Sequence, residues 1–291
     1  MREYVLMTDS CCDLPDQMAK DLQLEVLPLT MHMDGQDYPN TLDGAAISNE
    51  EFYRRIRAGK MATTSAVNVG QFEDAMSAIL EQGKDILCIS FSSALSTTYQ
   101  SACIAAESVQ AKYPEGRIRV IDSLSASLGQ GLLMYLTAHK KLEENLTLDQ
   151  LGDWVEENKL HVCHWFTVDD LNYLKKGGRV SAATALVGTM LSIKPIITFS
   201  DDGQLQSIAK VRGRRQVQDK ILELLRARFQ SGRRYNLAVA NGGAPEEMAE
   251  FAARLKAEFP NYEHFWEGVM DATLSVYIGD GVIGGGIQFL D

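Results

Sequence analysis

The run Ser92-Ser93-Ala94-Leu95-Ser96-Thr97-Thr98-Tyr99-Gln100-Ser101 crowds hydroxyl side chains between an apolar segment ending at Phe91 and a helical pattern, Ala102 to Lys112. A strand that turns through hydroxyls into a helix aims O–H groups and free backbone N–H groups at one point. The first turn of a helix has unpaired donors and positive dipole character, so such a turn can hold an anion. A second cluster, Thr63-Thr64-Ser65, lies upstream. Serine and threonine also cap helices and make turns. Two clusters together nevertheless point to a site for an oxyanion head group.

Other groups carry less. Asp9, Asp13 and Asp122 offer carboxylates in loops that equally call for caps, and there is no GxSxG elbow, HExxH pair or Walker A lysine loop. His161-Val162-Cys163-His164 has the look of a metal fragment but lies within a strand pattern, without a second ligand pair. The terminal run Gly279 to Ile287 imitates a dinucleotide fingerprint, yet a strand follows it where that motif needs a helix. Its glycines fit close approach of backbone to a ligand or to another strand. Two basic stretches, Lys175 to Ser181 and Lys210 to Arg215, fit either helix ends or contacts for a phosphate or an acidic partner. Ala182 to Ile193 is small and apolar on nearly every face, a buried core helix or the wall of an apolar tunnel.

The elements that must position these groups alternate in the first half. Strands are expected at Tyr4–Thr8, Leu24–Met31, Ile86–Phe91 and Arg117–Ile121, and helices at Asn49–Arg57 and Val69–Glu81, with a hairpin turn at Asp34-Gly35. This rhythm predicts a mainly parallel sheet with helices on both faces. Ligands bind beyond the carboxyl ends of such strands, where Asp9-Ser10, Ser92-Ser93 and Asp122-Ser123 would meet. From about Leu160 the pattern becomes α+β with a mixed or antiparallel sheet: strands His161–Val168, Lys194–Ser200 and Leu205–Val211, the last two joined by Asp201-Asp202-Gly203, then helices Arg214–Phe229 and Pro245–Phe259. The expected organisation is an α/β domain over residues 1–159 and an α+β domain over 160–291.

Composition narrows the partners. The 291 residues are 45% apolar and 23% charged, with a net charge of −11. That charge argues against a nucleic-acid surface or a basic lipid-binding patch. No apolar run approaches the roughly 18 residues that span a bilayer, and no signal peptide is visible, so a cytoplasmic location is expected. Cys11, Cys12, Cys88, Cys103 and Cys163 lack CxxC spacing and read as free, mostly buried thiols.

Taken in order, Thr8-Asp9-Ser10, Asp13-Leu14-Pro15, Thr64-Ser65, Phe91 to Ala102, Asp122-Ser123, Gly129-Gln130-Gly131, Asp170 to Arg179, Lys194-Pro195 and Lys210-Val211-Arg212-Gly213 resemble the DegV family over almost the whole chain. The resemblance implies a non-catalytic carrier that buries one long-chain fatty acid between two domains, without a cofactor. It would present the carboxylate to a separate fatty acid kinase subunit, which makes an acyl phosphate for phospholipid synthesis. On the family pattern Thr64 and Ser96 hold the carboxylate, with Ser65 and Ser93 close by. Tyr277 stands where the family usually has a histidine and donates to the same head group; Asp280 replaces a proline and Thr97 a glycine. Arg179, Arg212, Arg214 and Arg215 become contacts for the kinase or the acyl phosphate. The rival reading is a stand-alone hydrolase or transferase using Asp9, Asp122 and the serine cluster, and a third is a regulatory protein whose pocket has lost its ligand.

Overall fold

The computed structural model describes residues 2–179, 193–229 and 234–290. The chain begins with β1 (Tyr4–Asp9), α1 (Asp16–Asp21), β2 (Glu25–Leu27), β3 (Thr30–Met33), β4 (Gln36–Pro39), α2 (Asn49–Arg57) and β5 (Ala62–Ser65). Then come α3 (Val69–Glu81), β6 (Asp85–Ser90), α4 (Thr98–Lys112), β7 (Ile118–Asp122), α5 (Leu128–Glu144) and α6 (Leu148–Asn158). The remainder comprises β8 (Cys163–Thr167), α7 (Leu171–Lys176), β9 (Ile193–Phe199), β10 (Leu205–Arg212), α8 (Arg214–Arg228), β11 (Arg234–Gly242), α9 (Pro245–Glu258), β12 (Phe265–Val269), α10 (Ala272–Ile278) and β13 (Val282–Leu290).

The first sheet is parallel, in the order β2-β1-β6-β7. Strand β6 is buried throughout, as a strand covered on both faces must be. Its Ile86 and Cys88 pack with Phe72, Met76 and Ala105 of α3 and α4, while Leu87 and Ile89 pack with Leu132, Leu151 and Val155 of α5 and α6. Each such Leu or Ile contributes about 1.5–3 kcal/mol by leaving water. The second sheet is mixed, β10-β9-β8-β13-β11-β12, with only β11 and β12 parallel. Helices α8 and α9 cover its outer face through Val217, Ile221, Leu225, Phe251 and Leu255. Its inner face, through Phe166, Ala238, Ala240 and Val282, shares one core with α5. Every α5 residue from Leu128 to Ala138 is buried, as expected of a helix with apolar neighbours all round.

A third, antiparallel sheet, β4-β3-β5, was not foreseen from sequence. Its hairpin is the expected one, with Asp34 and Gly35 at φ 53° and 76° as a type I′ turn requires. The single strand expected over Leu24–Met31 divides into β2 and β3 around Pro28, which lacks a ladder donor. Helices α2 and α10 pack on this small sheet through Phe52, Ile56 and Ala272. The fold class is thus the one expected, a parallel sheet between helices and a separate mixed sheet. The helix or tunnel wall expected at Ala182–Ile193 lies outside the described residues, except for Ile193, which opens β9. Among the described residues no helix is long and apolar enough to cross a membrane.

Candidate functional site

A cavity of about 210 Å³ opens where the two large sheets and the small one meet. Its rim is half-buried to exposed and polar: Thr64, Ser96, Thr97, Tyr277 and Arg179. Its interior is lined mainly by apolar groups, among them Phe91, Leu128, Phe166, Phe199, Leu205 and Ile278. One end therefore suits a polar head and the remainder an apolar body.

Each rim group is placed by a different element. Strand β5 alternates, so Thr64 turns inward and Ser65 outward. The Thr64 hydroxyl lies 2.7 Å from the Tyr277 hydroxyl, which arrives from α10. Ser96 sits in the turn before α4, its Oγ 2.9 Å from the Thr98 hydroxyl and accepting from the Thr98 amide at 3.2 Å. The Arg179 guanidinium stacks over the Tyr277 ring at 4.4 Å and donates to the Leu95 and Gly177 carbonyls. A Cβ on Gly177 would come within 2.2 Å of that ring, so only glycine lets the α7 terminus approach Tyr277 this closely. Arg179, expected as a contact for the kinase or the acyl phosphate, lies at the rim.

Ser65 and Ser93, expected beside the head group, do not line the cavity. Ser65 is exposed, its hydroxyl 2.7 Å from His32 Nε2. Ser93 presents its amide to Asp122. Strand parity in the first case, and a turn closed on the β7 carboxylate in the second, direct these residues elsewhere. The Ser92 hydroxyl donates to the Gly203 carbonyl at 2.9 Å, tying the serine turn to the β9–β10 hairpin.

Beneath the rim, the ends of β1, β6 and β7 meet as expected, but their hydrogen bonds run mainly to one another. Buried Asp9 accepts from the Cys11 and Phe91 amides, the Ser90 hydroxyl and Gln130 Nε2. Burial still pushes its carboxyl above the usual range. Asp122 accepts from the Ser93 and Leu124 amides. Asp13 accepts from the Ser127 hydroxyl at 2.5 Å and from the Asp271 amide at 2.9 Å. Burial raises both acids of this pair, Asp271 to about 6, and the Asp271 charge pushes Asp13 further. Ser127 holds φ 50° and ψ −132°, a conformation side chains rarely adopt, fixed by that hydroxyl bond and by its amide donating to the Cys11 carbonyl.

Sequence reasoning weighed His164 only as part of a metal fragment and did not place it at a cavity. In β8 the alternation sets Trp165 toward α8 and α9 and turns His164 and Phe166 to the cavity. That period-2 pattern was the signal available. His164 is 8% exposed, and burial pushes its imidazole down to about 4, with the Val162 backbone opposing only in part. The other residues of the sequence pattern fall elsewhere. His161 is exposed, on the turn before β8, and all five cysteines are free thiols.

Of the remaining basic residues, Arg212 is exposed, whereas Arg214 is paired with Asp169 and Glu247 and donates to the Gly281 carbonyl. Arg215 pairs with Glu250. Asp280 is held by both Nε and Nη2 of Arg57 at 2.8 Å. Its negative charge is thereby compensated.

The comparisons with known proteins agree with this architecture. A DegV domain-containing protein of Clostridium perfringens is 38% identical over 260 residues, 89% of each chain. The fatty-acid-binding DegV-family protein of Thermus thermophilus superposes over the whole of both chains with a TM-score of 0.89 at 29% identity. DegV of Bacillus subtilis, a fatty acid binding protein, gives 0.89 at 26% identity, again over the whole of both chains. The model of the uncharacterised DegV-family proteins matches residues 3–289, and the chain belongs to the DegV family.

Proposed function

We propose that this chain binds one long-chain fatty acid, with the carboxylate at the rim and the acyl chain inside the cavity. The observation that carries this is the convergence of Thr64, Ser96, Tyr277 and Arg179 at one end of an otherwise largely apolar cavity. The binding of fatty acids by the Thermus and Bacillus relatives supports it. Each buried CH₂ contributes about 0.8 kcal/mol, so the chain supplies most of the affinity. Hydroxyl donors orient the carboxylate, and Arg179, engaged with carbonyls and the Tyr277 ring, offsets its charge from the side. Native mass spectrometry of protein purified from cells is the test. A co-purifying long-chain acid is expected; protein that stays empty and takes up none when it is offered would overturn the assignment.

The finer reading is of a cytoplasmic carrier, divided near residues 159–160, that presents the carboxylate to a separate fatty acid kinase for acyl-phosphate formation. Exposed Lys175 and Lys176 lie beside Gly177, which abuts Tyr277, so a partner docking there would stand over the head group. Exposed Arg212 is the second candidate contact; Arg214 already has two carboxylate partners. Phosphorylation of the loaded protein's acid by a purified fatty acid kinase and ATP should fall when Lys175 and Lys176 are both replaced by glutamate. Equal rates would exclude that docking face.

A further inference from the structure

The outer face of the small sheet carries three groups in a row that the cavity does not use. Strand β3 gives its inward positions, Met31 and Met33, to the core and turns His32 outward. Register sets Asp37 of β4 directly opposite His32, and Ser65 of β5 opposite Thr30, so that Ser65 stands diagonal to His32 on the same face. His32 Nδ1 lies 2.6 Å from Asp37 Oδ1, and its Nε2 lies 2.7 Å from Ser65 Oγ. A carboxylate can only accept, so Nδ1 carries the proton; in the neutral ring Nε2 then accepts from the Ser65 hydroxyl. The imidazole is held from both sides and is 33% exposed, and Ser65 is open to solvent. An exposed row of this kind adds little to stability.

We propose that Ser65 is a nucleophile, with His32 as its general base and Asp37 as the residue that positions the ring, and that this face hydrolyses small activated acyl esters. The order hydroxyl, imidazole, carboxylate at hydrogen-bond distance is recognised by its geometry, whatever the fold. Ser65 Oγ attacks the ester carbonyl carbon as His32 Nε2 takes its proton. The bond to the leaving oxygen then breaks, and that oxygen departs with the proton from His32. Water, giving a proton to the same nitrogen, next attacks the acyl-serine, releases a carboxylic acid and restores Ser65. Register puts the Thr30 hydroxyl on the same face, opposite Ser65, where it can donate to the oxygen that gains charge. One hydroxyl on an open sheet stabilises that charge weakly, so the reaction is confined to esters with a good leaving group. The open face asks for no long chain, and an acetyl group suffices. Adjacent Thr64 faces the cavity, so this activity stands apart from the fatty-acid reading.

The test is labelling of the full chain by a fluorophosphonate, located by peptide mass spectrometry, together with release of nitrophenol from nitrophenyl acetate. Ser65 should be the modified residue, its oxygen displacing fluoride from phosphorus. Ser65→Ala should lose the label, and its ester hydrolysis should fall at least about tenfold. His32→Gln should slow labelling about a hundredfold, the lower end of what a positioned general base contributes. Asp37→Asn should slow it about tenfold with the thermal midpoint unmoved, and Asp37→Glu should restore part of that loss. No label on Ser65, or ester hydrolysis unchanged in Ser65→Ala, would overturn the inference and leave the fatty-acid reading standing. Should a variant not fold, the position of the label on the unaltered chain still decides.

Discussion

Two clusters of hydroxyl and carboxyl groups lie close together in this molecule, and they differ in how their hydrogen bonds are spent. Around Asp9 the bonds run inward: both carboxylate oxygens are taken up by two amides, a hydroxyl and Gln130 Nε2, and among the described residues only Gln130 Oε1 of this group lacks a partner. At the rim, Thr64 is bonded to Tyr277 and Ser96 to Thr98, hydroxyl to hydroxyl. A hydroxyl has one donor and two acceptor positions, so such pairs retain capacity for a third party. The first cluster is a joint, and the second has the spare capacity that the proposed head-group site needs. Polar residues at the ends of parallel strands do not by themselves mark a site; spare bonding capacity facing a cavity does.

The sharpest way to break the comparison is to remove one member of the joint. Asp9→Ala strands three or more buried donors and should cost about 4 kcal/mol of stability. Urea unfolding reads this directly. Fatty-acid affinity of the fraction still folded should hardly change. A variant as stable as the parent but deficient in binding would reverse the two roles.

The acid pair beside that joint makes a prediction of opposite sign to ordinary acid denaturation. The folded-state pKa of Asp271 is about 6, above its unfolded value, so the folded form binds more protons between the two. Stability contributed by this group therefore falls as pH rises from about 4 to about 6 and is level above that. The change should amount to about 2 kcal/mol. Asp271→Asn keeps the acceptor for Thr273 and the Leu274 amide and removes the titration. The difference in urea midpoint between parent and variant should shift toward the variant across that interval. A constant difference would show that the pair does not hold a proton.

At the rim, Ser96→Ala should weaken acid binding about tenfold, the roughly 1.4 kcal/mol of a hydrogen bond to a charged group. The variant also takes the acceptor from the Thr98 amide at the start of α4, so stability should fall by about 1 kcal/mol and affinity is read on the folded fraction. Unchanged affinity would take the carboxylate away from this turn.

Much of the scaffold was legible because β6 and α3 carry unambiguous periods: a continuous apolar run in one, and in the other an amphipathic stripe opened by an Asn68–Gln71 capping box. The small sheet was not. Ala62-Thr63-Thr64-Ser65 and Gln36-Asp37-Tyr38-Pro39 are short and polar, and only pairing with β3 makes them strands. Helix α10 has seven residues, too few to show a stripe. Of the candidate site, Thr64, Ser96 and Tyr277 were reached through the family pattern. Arg179 is expected only as a contact for the kinase or the acyl phosphate; no sequence pattern shows that its planar guanidinium lies over the Tyr277 ring. His164 was hidden because a strand gives two faces, and one sequence alone does not say which faces a cavity.

The smallest predicted effect tests that same parity. Thr64 and Ser65 are adjacent and chemically alike, yet β5 turns one to Tyr277 and the other to His32 on the outer face. Ser65→Ala should leave acid affinity within about twofold and stability within about 0.5 kcal/mol, as surface substitutions usually do. Thr64→Ala should cost several-fold in affinity by the same displacement assay. Because a strand displaced by one residue exchanges its two faces, the pair of variants reads the register of β5 against β3 in solution. A loss confined to Ser65→Ala would place β5 one residue out of the register Met31–Thr64 and return Ser65 to the carboxylate.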